Sequence, residues 1–249
     1  MKAFTTIIVT AIIAILVAAN FNGLFALDET SLFLTLIGLI YALHSAFTIN
    51  HVWSRYIEIR ELIGEETSSL LNVYLASQFL SDKKIKALYA EKIANYCMYV
   101  ANTSWKGYAD DENAHEKFNA IYNVLGDIKI KNSKDANLFD DITDNLTTAS
   151  NARIKQLVLE RNYLGGLNWA LLIFVSLVLL VGMFITSLES HLLTLIIGPS
   201  LVVAVTIIIV IIRKFDTLEY EFVQISEKPY KQLAEHLRKY ESVHKQADI

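Results

Sequence analysis

Four long apolar stretches, two near the beginning of the chain and two towards its end, constrain its fold most strongly. They cover residues 4–21, 31–52, 167–187 and 192–212, and none contains Asp, Glu, Lys or Arg. Each is long enough to cross about 30 Å of hydrocarbon as a helix, at about 20 residues per crossing. Unpaired backbone amides are costly in lipid, and these runs lack the alternation of a barrel strand. The sequence therefore predicts an all-α, polytopic membrane protein with four transmembrane helices.

The remaining residues are polar enough to form water-exposed parts. Although 53% of the 249 residues are hydrophobic, 19% are charged, and these lie mainly between the two pairs of apolar stretches and at the C-terminus. We therefore expect two transmembrane helices in 1–54, a helical cytoplasmic domain in 55–165, two more transmembrane helices in 166–212 and a cytoplasmic tail in 213–249. The net charge of -4 argues against a nucleic-acid partner, which would require a basic surface.

The distribution of Lys and Arg predicts the orientation in the membrane. Lys2 precedes the first stretch, Arg55 follows the second, and Arg213 and Lys214 follow the fourth, whereas the loop 22–30 contains no basic residue. Basic residues are retained on the cytoplasmic side of a membrane. We therefore expect both termini in the cytoplasm of a multi-pass protein of the inner or plasma membrane, with lipids as its surroundings.

The N-terminus also permits a different interpretation. Lys2, an apolar core to Leu16 and the small residues of 17–19 resemble a secretory signal with a cleavage site. Retention as a transmembrane helix is the alternative, because the apolar run is longer than most signal cores. The second stretch would begin outside the cell in either case.

The polar block between the two pairs is predicted to consist of helices. No helix breaker follows the second apolar stretch, so we expect one helix that leaves the membrane and continues to about Phe79. Ser81 and Asp82 can cap a second helix that ends near Trp105. The acidic pair at 110–111 is expected to start a third helix, which ends at Gly126 or in the polar residues that follow.

Ser133 or Asp135 is expected to cap a fourth helix, which leads towards the third apolar stretch. A tail helix should begin within 226–229 and end near Val243. Helical spacing predicts that the inward face of the fourth helix consists of Leu138, Ile142, Leu146, Ile154 and Leu157.

The second apolar stretch carries a polar stripe. Its members, spaced three, four, three and four residues apart, are Tyr41, His44, Thr48, His51 and Arg55. Such residues lie on one side of one helix, and polar groups are expensive in lipid unless they face protein or water. Two interpretations remain open. The stripe either packs helices together through hydrogen bonds or lines a water-filled pore shared by several subunits.

Three neighbouring features also have two interpretations. Leu34 and Ile37 continue the stripe outwards and could form a hydrophobic gate or ordinary packing contacts. Arg55 could concentrate ions at the cytoplasmic mouth or extend to lipid head groups. Gly198 and Pro199 interrupt the fourth stretch and could form a gating hinge or a simple kink.

The charges of the stripe indicate which ions a pore would favour. It contains two His and one Arg and no carboxylate, so its field favours anions such as chloride. No phosphate-binding loop, nucleophile elbow or pair of metal ligands at a regular spacing is found in the sequence. We therefore expect no catalytic activity, no cofactor and no metal.

Residues scattered along nearly the whole chain match the pattern of a known family: Gly38, Trp53, Arg55, Tyr56, Arg60, Glu65, Glu66, Tyr74, Tyr96, Trp105, Arg161, Leu164, Trp169, Asp216, Ile225, Ser226 and Pro229. In these residues the chain resembles the bestrophin-like family of bacterial membrane proteins. Membership implies two pairs of transmembrane helices and a helical cytoplasmic domain. By likeness to true bestrophins it also implies a pentameric anion channel lined by the second transmembrane helix. The calcium-binding acidic clasp of true bestrophins has no match here, and Leu218, Glu221 and 165–166 depart from the family pattern.

These observations lead to one principal hypothesis and two alternatives. The principal hypothesis is a homo-oligomeric anion channel in which the stripe from Tyr41 to Arg55 contributes to the permeation path. The first alternative is a non-conducting membrane scaffold or sensor that acts through its cytoplasmic helices. The second is a transporter of small solutes, which is disfavoured because none of the four apolar stretches contains a carboxylate.

Overall fold

The computed structural model describes residues 27–103, 110–185, 191–218 and 228–247. Within these ranges the chain is helical and contains no strand, which confirms the all-α prediction. A short 3₁₀ helix, Val124–Asp127, follows the third α-helix. The α-helices are α1 Leu27–Ser77, α2 Lys83–Asn102, α3 Glu112–Asn123, α4 Ser133–Arg161, α5 Gly166–Ile185, α6 His191–Asp216 and α7 Lys228–Ala247.

Three of the described helices, α1, α5 and α6, are long and apolar enough to cross a membrane. They contain the second, third and fourth predicted stretches, while the first, 4–21, lies outside the described residues. Helix α1 has 51 residues and is therefore about 75 Å long, more than twice the hydrocarbon thickness. The prediction that the second stretch continues as one helix beyond the membrane is confirmed.

The chain divides into two compact units. The membrane unit comprises Met1–Ser54 and Leu164–Glu219, and the polar unit comprises Arg55–Tyr163 and Tyr220–Ile249. Helix α1 contributes its first half to the membrane unit and its second half to the polar unit. The division follows the sequence, because the charged residues are concentrated in the polar unit.

The core of the membrane unit is formed by one face of each of its three described helices. Its buried members are Tyr41 from α1, Leu164, Leu172 and Leu179 from the start and body of the α5 segment, and Val205 and Ile212 from α6. Because lipid is as apolar as these side chains, close van der Waals packing rather than the hydrophobic effect stabilises such contacts.

Helix α2 forms as predicted. The Asp82 side chain accepts a hydrogen bond of 3.0 Å from the Lys84 amide, which satisfies one of the unpaired N–H groups at the start of the helix. One face of the helix is apolar and buried, and Leu88 beside it is half-buried. Cys97 is fully buried, and this burial raises the pKa of its thiol, which is typical of a structural cysteine. The buried members of that face are Ile85, Tyr89, Ile93, Tyr96, Cys97 and Val100.

Helix α3 also begins where the sequence predicted. Asp111 caps it by accepting hydrogen bonds from the amides of Asn113 at 3.0 Å and Ala114 at 3.2 Å. Phe118 and Ile121 are buried on its inner face. The carboxylate at this end of the helix also interacts favourably with the helix dipole.

Helix α4 departs from the prediction in two respects. Its N-cap is Asn132, whose side chain accepts a hydrogen bond of 2.8 Å from the Asp135 amide, so the expected caps Ser133 and Asp135 were wrong. Ile142 and Leu146 are buried as predicted, but Ile154 is 54% exposed. The reason for the second error is that polar residues occupy the inner face beyond residue 150. They are Arg153, Gln156 and Glu160, all buried.

Asp135 instead joins the start of α4 to the corner between α1 and α2. Its carboxylate accepts hydrogen bonds from Ser81, through the amide at 3.1 Å and the hydroxyl at 2.9 Å, and from the Lys131 amide at 3.1 Å. Burial alone would raise the pKa of Asp135, but these hydrogen bonds and the Lys131 charge outweigh it and hold the pKa below its usual range.

The lowered pKa of Asp135 leads to a prediction about acid stability. The ionised carboxylate stabilises the folded state above the unfolded pKa of about 3.9, and this contribution is lost as pH falls through the lower folded value. We therefore expect Asp135→Asn to be less stable than the wild type at neutral pH, with the difference vanishing in strong acid. Thermal unfolding monitored by circular dichroism from neutral pH down to about pH 2 measures both curves. A destabilisation that stays constant over this range would contradict the assignment.

Candidate functional site

The membrane part of α1 has one face turned towards its own chain. Tyr41, Ser45, Thr48 and Val52 are buried on this face, at spacings of four, three and four residues. The Thr48 hydroxyl donates a hydrogen bond of 2.8 Å to the carbonyl oxygen of His44 one turn earlier. Burial of Tyr41 and Thr48 within a single chain favours the packing interpretation for these two members of the stripe.

The predicted gate residues lie on the same side of α1. Leu34 is half-buried and faces Gly182 of α5 so closely that a Cβ atom at Gly182 would lie 2.7 Å from Leu34 Cδ2. Ile37 is also half-buried and packs against the core of the membrane unit. Glycine thus permits close approach of α1 and α5 at this point. The gate role of Leu34 and Ile37 stays a prediction.

The two histidines lie at the edge of the buried face. His44 is half-buried, and within the described part of the chain its Nε2 atom is buried without a hydrogen-bond partner. His51 is exposed. Helix residues spaced three and four positions apart cover a face that is more than 100° wide. The fold therefore places the two edges of the predicted stripe in different surroundings. One edge contacts the described helices of the chain, and the other is not covered by them.

The opposite face of α1 is not covered by the described residues of the chain. It contains large apolar side chains, among them Leu36, Leu43 and Phe47, which is 73% exposed. Closer to the polar unit, Asn50 and Ser54 continue the same face and are also exposed. Leu36, Leu43, Phe47, Asn50 and Ser54 follow one another at helical spacing, and we call them the uncovered stripe.

Arg55, the predicted mouth residue, is buried in the polar unit. Its Nε atom donates to the Leu159 carbonyl at 2.7 Å, and one terminal nitrogen donates to the Glu160 carbonyl at 3.1 Å. The guanidinium also lies over the Tyr163 ring, 5.1 Å from its centre. Because the last carbonyls of a helix lack intrahelical partners, Arg55 caps the C-terminal end of α4.

Asp216, at the end of α6, binds the first residues of α5 and those just before it, which we call the α5 segment. These contacts lie within the membrane unit. Its Oδ1 atom accepts a hydrogen bond of 2.7 Å from the Leu164 amide, and Oδ2 accepts one of 3.2 Å from the Trp169 indole. Asp216 is buried, so both donors are satisfied away from water.

The predicted hinge residues Gly198 and Pro199 are buried within the same helix, α6, which continues through them. Their hinge role stays a prediction.

A buried carboxylate in the polar unit was not singled out from the sequence as a site. Glu66 of α1 is fully buried, and its Oε1 accepts a hydrogen bond of 2.5 Å from the Tyr96 hydroxyl. Its Oε2 accepts bonds of 2.7 Å from the Gln156 amide and of 2.7 Å from the Tyr230 hydroxyl. Four helices therefore meet at one carboxylate. The sequence signal was weak, since Glu66 follows another Glu in a polar helix.

The polar unit has a further buried charge next to this cluster. Arg153, one helical turn before Gln156, is 3% exposed and lies over the rings of Tyr96 at 5.5 Å and Phe118 at 4.9 Å. Its charge lowers the pKa of Glu66, although burial has the larger and opposite effect. We call Glu66, Tyr96, Arg153, Gln156 and Tyr230 the Glu66 cluster.

Comparison with solved structures shows that the fold is shared with membrane proteins. One crystal structure of a membrane protein with a single alanine substitution superposes with a TM-score of 0.62 at 12% identity, covering 95% of this chain and 96% of the other. A second such variant gives 0.60 at 11% identity over 94% of each chain. A third gives 0.60 at 10% identity, over 95% of this chain and 98% of the other. A search of curated proteins found no match.

A sequence model of the bestrophin-like domain matches residues 5–230. The match includes all of α1 to α6 and the start of α7, so both units are covered. It agrees with the resemblance found from scattered residues. The chain therefore belongs to the bestrophin-like family of membrane proteins.

Proposed function

We propose that this protein is a homo-oligomeric anion channel rather than an enzyme, and that α1 from each copy lines the permeation path. The observation that carries the proposal is the uncovered stripe of α1. A membrane helix that exposes polar side chains at one end requires water, head groups or another protein surface beside them. A path enclosed by several copies provides both water and protein.

The composition of the uncovered stripe fits the passage of anions. It has an apolar portion, Leu36, Leu43 and Phe47, followed by Asn50 and Ser54, and it contains no carboxylate. Apolar rings can gate a pore by excluding water, and amide and hydroxyl groups can donate hydrogen bonds to a partly dehydrated anion. We therefore place the constriction in this proposal at Leu43 and Phe47.

Part of the stripe predicted from sequence is retained in the proposed path. His51 is exposed beside Asn50, and His44 lies at the edge of the uncovered face. Both have ring N–H groups that can donate a hydrogen bond to an anion. Tyr41, Thr48 and Arg55 are instead assigned to packing and capping, because each is buried within one chain.

Assembly of several copies is a necessary part of the proposal, because three or four transmembrane helices cannot enclose a path. Ile154 and Val158 of α4 support it independently: they are 54% and 63% exposed and lie one turn apart in the polar unit. Contact with a second copy would remove these apolar side chains from water and so stabilise the assembly. We further propose that both termini are cytoplasmic, and the family resemblance suggests five copies.

Anion flux through purified protein tests the channel function. Full-length protein in liposomes should release chloride down its gradient, and Asn50→Asp should reduce this release by about tenfold, because an added negative charge repels anions at close range. The substitution preserves the shape of the side chain. A fluorescent halide indicator measures the anion flux. In the Asn50→Asp variant, a cation indicator should show that cation flux increases relative to anion flux.

Thr48→Val is the control for Asn50→Asp. It is a substitution of similar shape on the buried face of α1 and should leave the selectivity for anions over cations unchanged. Mass photometry of the purified protein should show an oligomer. A monomer, or an oligomer that passes no anion under any voltage, would favour the scaffold or sensor, for which the exposed Ile154 and Val158 would then be a partner surface.

A further inference from the structure

The Glu66 cluster has an unusual balance of charge. The three groups that donate hydrogen bonds to the carboxylate, from Tyr96, Gln156 and Tyr230, are all neutral. A fully buried carboxylate is costly unless charge and hydrogen bonds compensate for lost hydration. Among the charged groups in the described part of the chain, Arg153 is the one whose charge favours the ionised carboxylate, and burial outweighs it, so an added proton would relieve part of this cost.

The cluster can accept that proton without losing its geometry. The hydroxyls of Tyr96 and Tyr230 can each donate or accept a hydrogen bond, so a protonated Glu66 can donate to one of them once that hydroxyl turns. Tyr230 also lies 3.3 Å from the Gln156 side-chain oxygen, which gives its hydrogen another acceptor. Both protonation states can therefore be hydrogen-bonded in place.

Helix α7 contributes a buried polar side chain to this cluster. Tyr230 of α7 is fully buried, and the other side chains described as buried within 228–239, Leu233, Ala234 and Leu237, are apolar. When α7 is docked, it helps to remove Glu66 from water. When α7 leaves, the carboxylate loses the Tyr230 hydrogen bond and regains hydration.

We propose that Glu66 is a proton-binding site and that its protonation strengthens the docking of the C-terminal helix α7 onto the polar unit. The helices packed around Glu66 contribute Tyr96 and Cys97 from α2, Arg153 from α4 and Tyr230 from α7. Arginine stays charged, and tyrosine and the buried thiol stay neutral, from acid to neutral pH. Glu66 is therefore the group in this cluster whose protonation state changes in this proposal. Burial raises its pKa above the ordinary range.

The direction of the effect follows from the pKa of Glu66. Burial raises it in the docked state, and the hydrogen bonds and Arg153 only partly oppose this. In the undocked state water reaches the carboxylate, so its pKa returns towards the ordinary range of a Glu. The docked state therefore binds the proton more tightly, and docking weakens as pH rises through the raised pKa of the docked state. Each pKa unit of difference corresponds to about a tenfold change in the docking constant.

Hydrogen exchange of α7 in the full-length protein in nanodiscs tests this site. Protection of peptides from 228–247, corrected for the intrinsic pH dependence of exchange, should fall as pH rises from about 4.5 to 8.5. In Glu66→Gln, whose side chain is permanently neutral and of the same shape, protection should stay at the low-pH level of the wild type. Glu65→Gln removes an exposed neighbouring carboxylate and should leave the wild-type pH dependence intact.

An infrared readout identifies Glu66 as the group that binds the proton. The wild-type spectrum minus the Glu66→Gln spectrum removes the bands of the other carboxyl groups, and the remaining protonated-carboxyl band should appear as pH falls with the midpoint of α7 protection. Protection of α7 that does not depend on pH in the wild type would overturn the proposal. So would the absence of this difference band, or a pH dependence of α7 protection that persists unchanged in a folded Glu66→Gln protein.

Discussion

Replacing Arg55 by methionine should lower the free energy of unfolding of the polar unit by about 3 kcal/mol. The guanidinium donates to the carbonyls of Leu159 and Glu160, and a methionine would leave both acceptors at the end of α4 without these donors. Buried hydrogen bonds from a charged group are worth about 1.5–3 kcal/mol, and the contact with Tyr163 adds to this. Denaturant unfolding in detergent, followed by circular dichroism, measures the change.

Two further variants separate capping from a role at a pore mouth. Arg55→Lys keeps the charge but not the planar fork of donors, so it should recover less than half of the loss. Arg60→Met removes an exposed arginine that lies 5.8 Å from the centre of the Tyr56 ring, and should cost under about 1 kcal/mol. If Arg55→Met were as stable as the wild type and changed only ion flux, the capping assignment would be wrong.

Replacing Asp216 by leucine should destabilise the membrane unit by about 2–3 kcal/mol. Two donors lose their partner, the Leu164 amide and the Trp169 indole, and a buried donor left unsatisfied costs about 1–3 kcal/mol. The change can be measured by thermal unfolding in detergent, and the altered environment of Trp169 should appear in the fluorescence spectrum.

Asp216→Asn is the matched control for this substitution. The asparagine side chain keeps one oxygen acceptor and nearly the same shape, so it should lose about half as much stability as the leucine variant. Equal losses in both variants would mean that the charge, rather than the two hydrogen bonds, stabilises this end of α6.

Apolar patterning predicted the helices well. The continuation of α1 beyond the membrane, the Asp82 cap and the Asp111 cap are local features, because each depends on residues within a few positions of one another. The errors arose where a partner is distant in sequence. Asp135 was expected to cap α4, but Ser81, more than fifty positions away, supplies the donors for its carboxylate.

The same limitation explains the outcome for the stripe on α1. Helical spacing correctly placed Tyr41, Thr48 and Arg55 on one side of the helix, but it could not indicate whether that side faces the chain's own helices. In the structure these three side chains are buried, while His51 is exposed. Gly182 of α5 contributes to this arrangement by allowing close approach to Leu34.

The sequence by itself determined that this is an all-helical membrane protein, where most helices begin and end, and which family it resembles. These properties follow from the transfer of apolar side chains into lipid and from hydrogen bonds between near neighbours, so they can be read along the chain. Only the tertiary structure decided that Arg55 caps α4, that Asp216 binds the α5 segment and that Glu66 joins four helices. Those contacts join residues about 30 to 164 positions apart, and periodicity within one helix contains no information about which distant group will occupy its face.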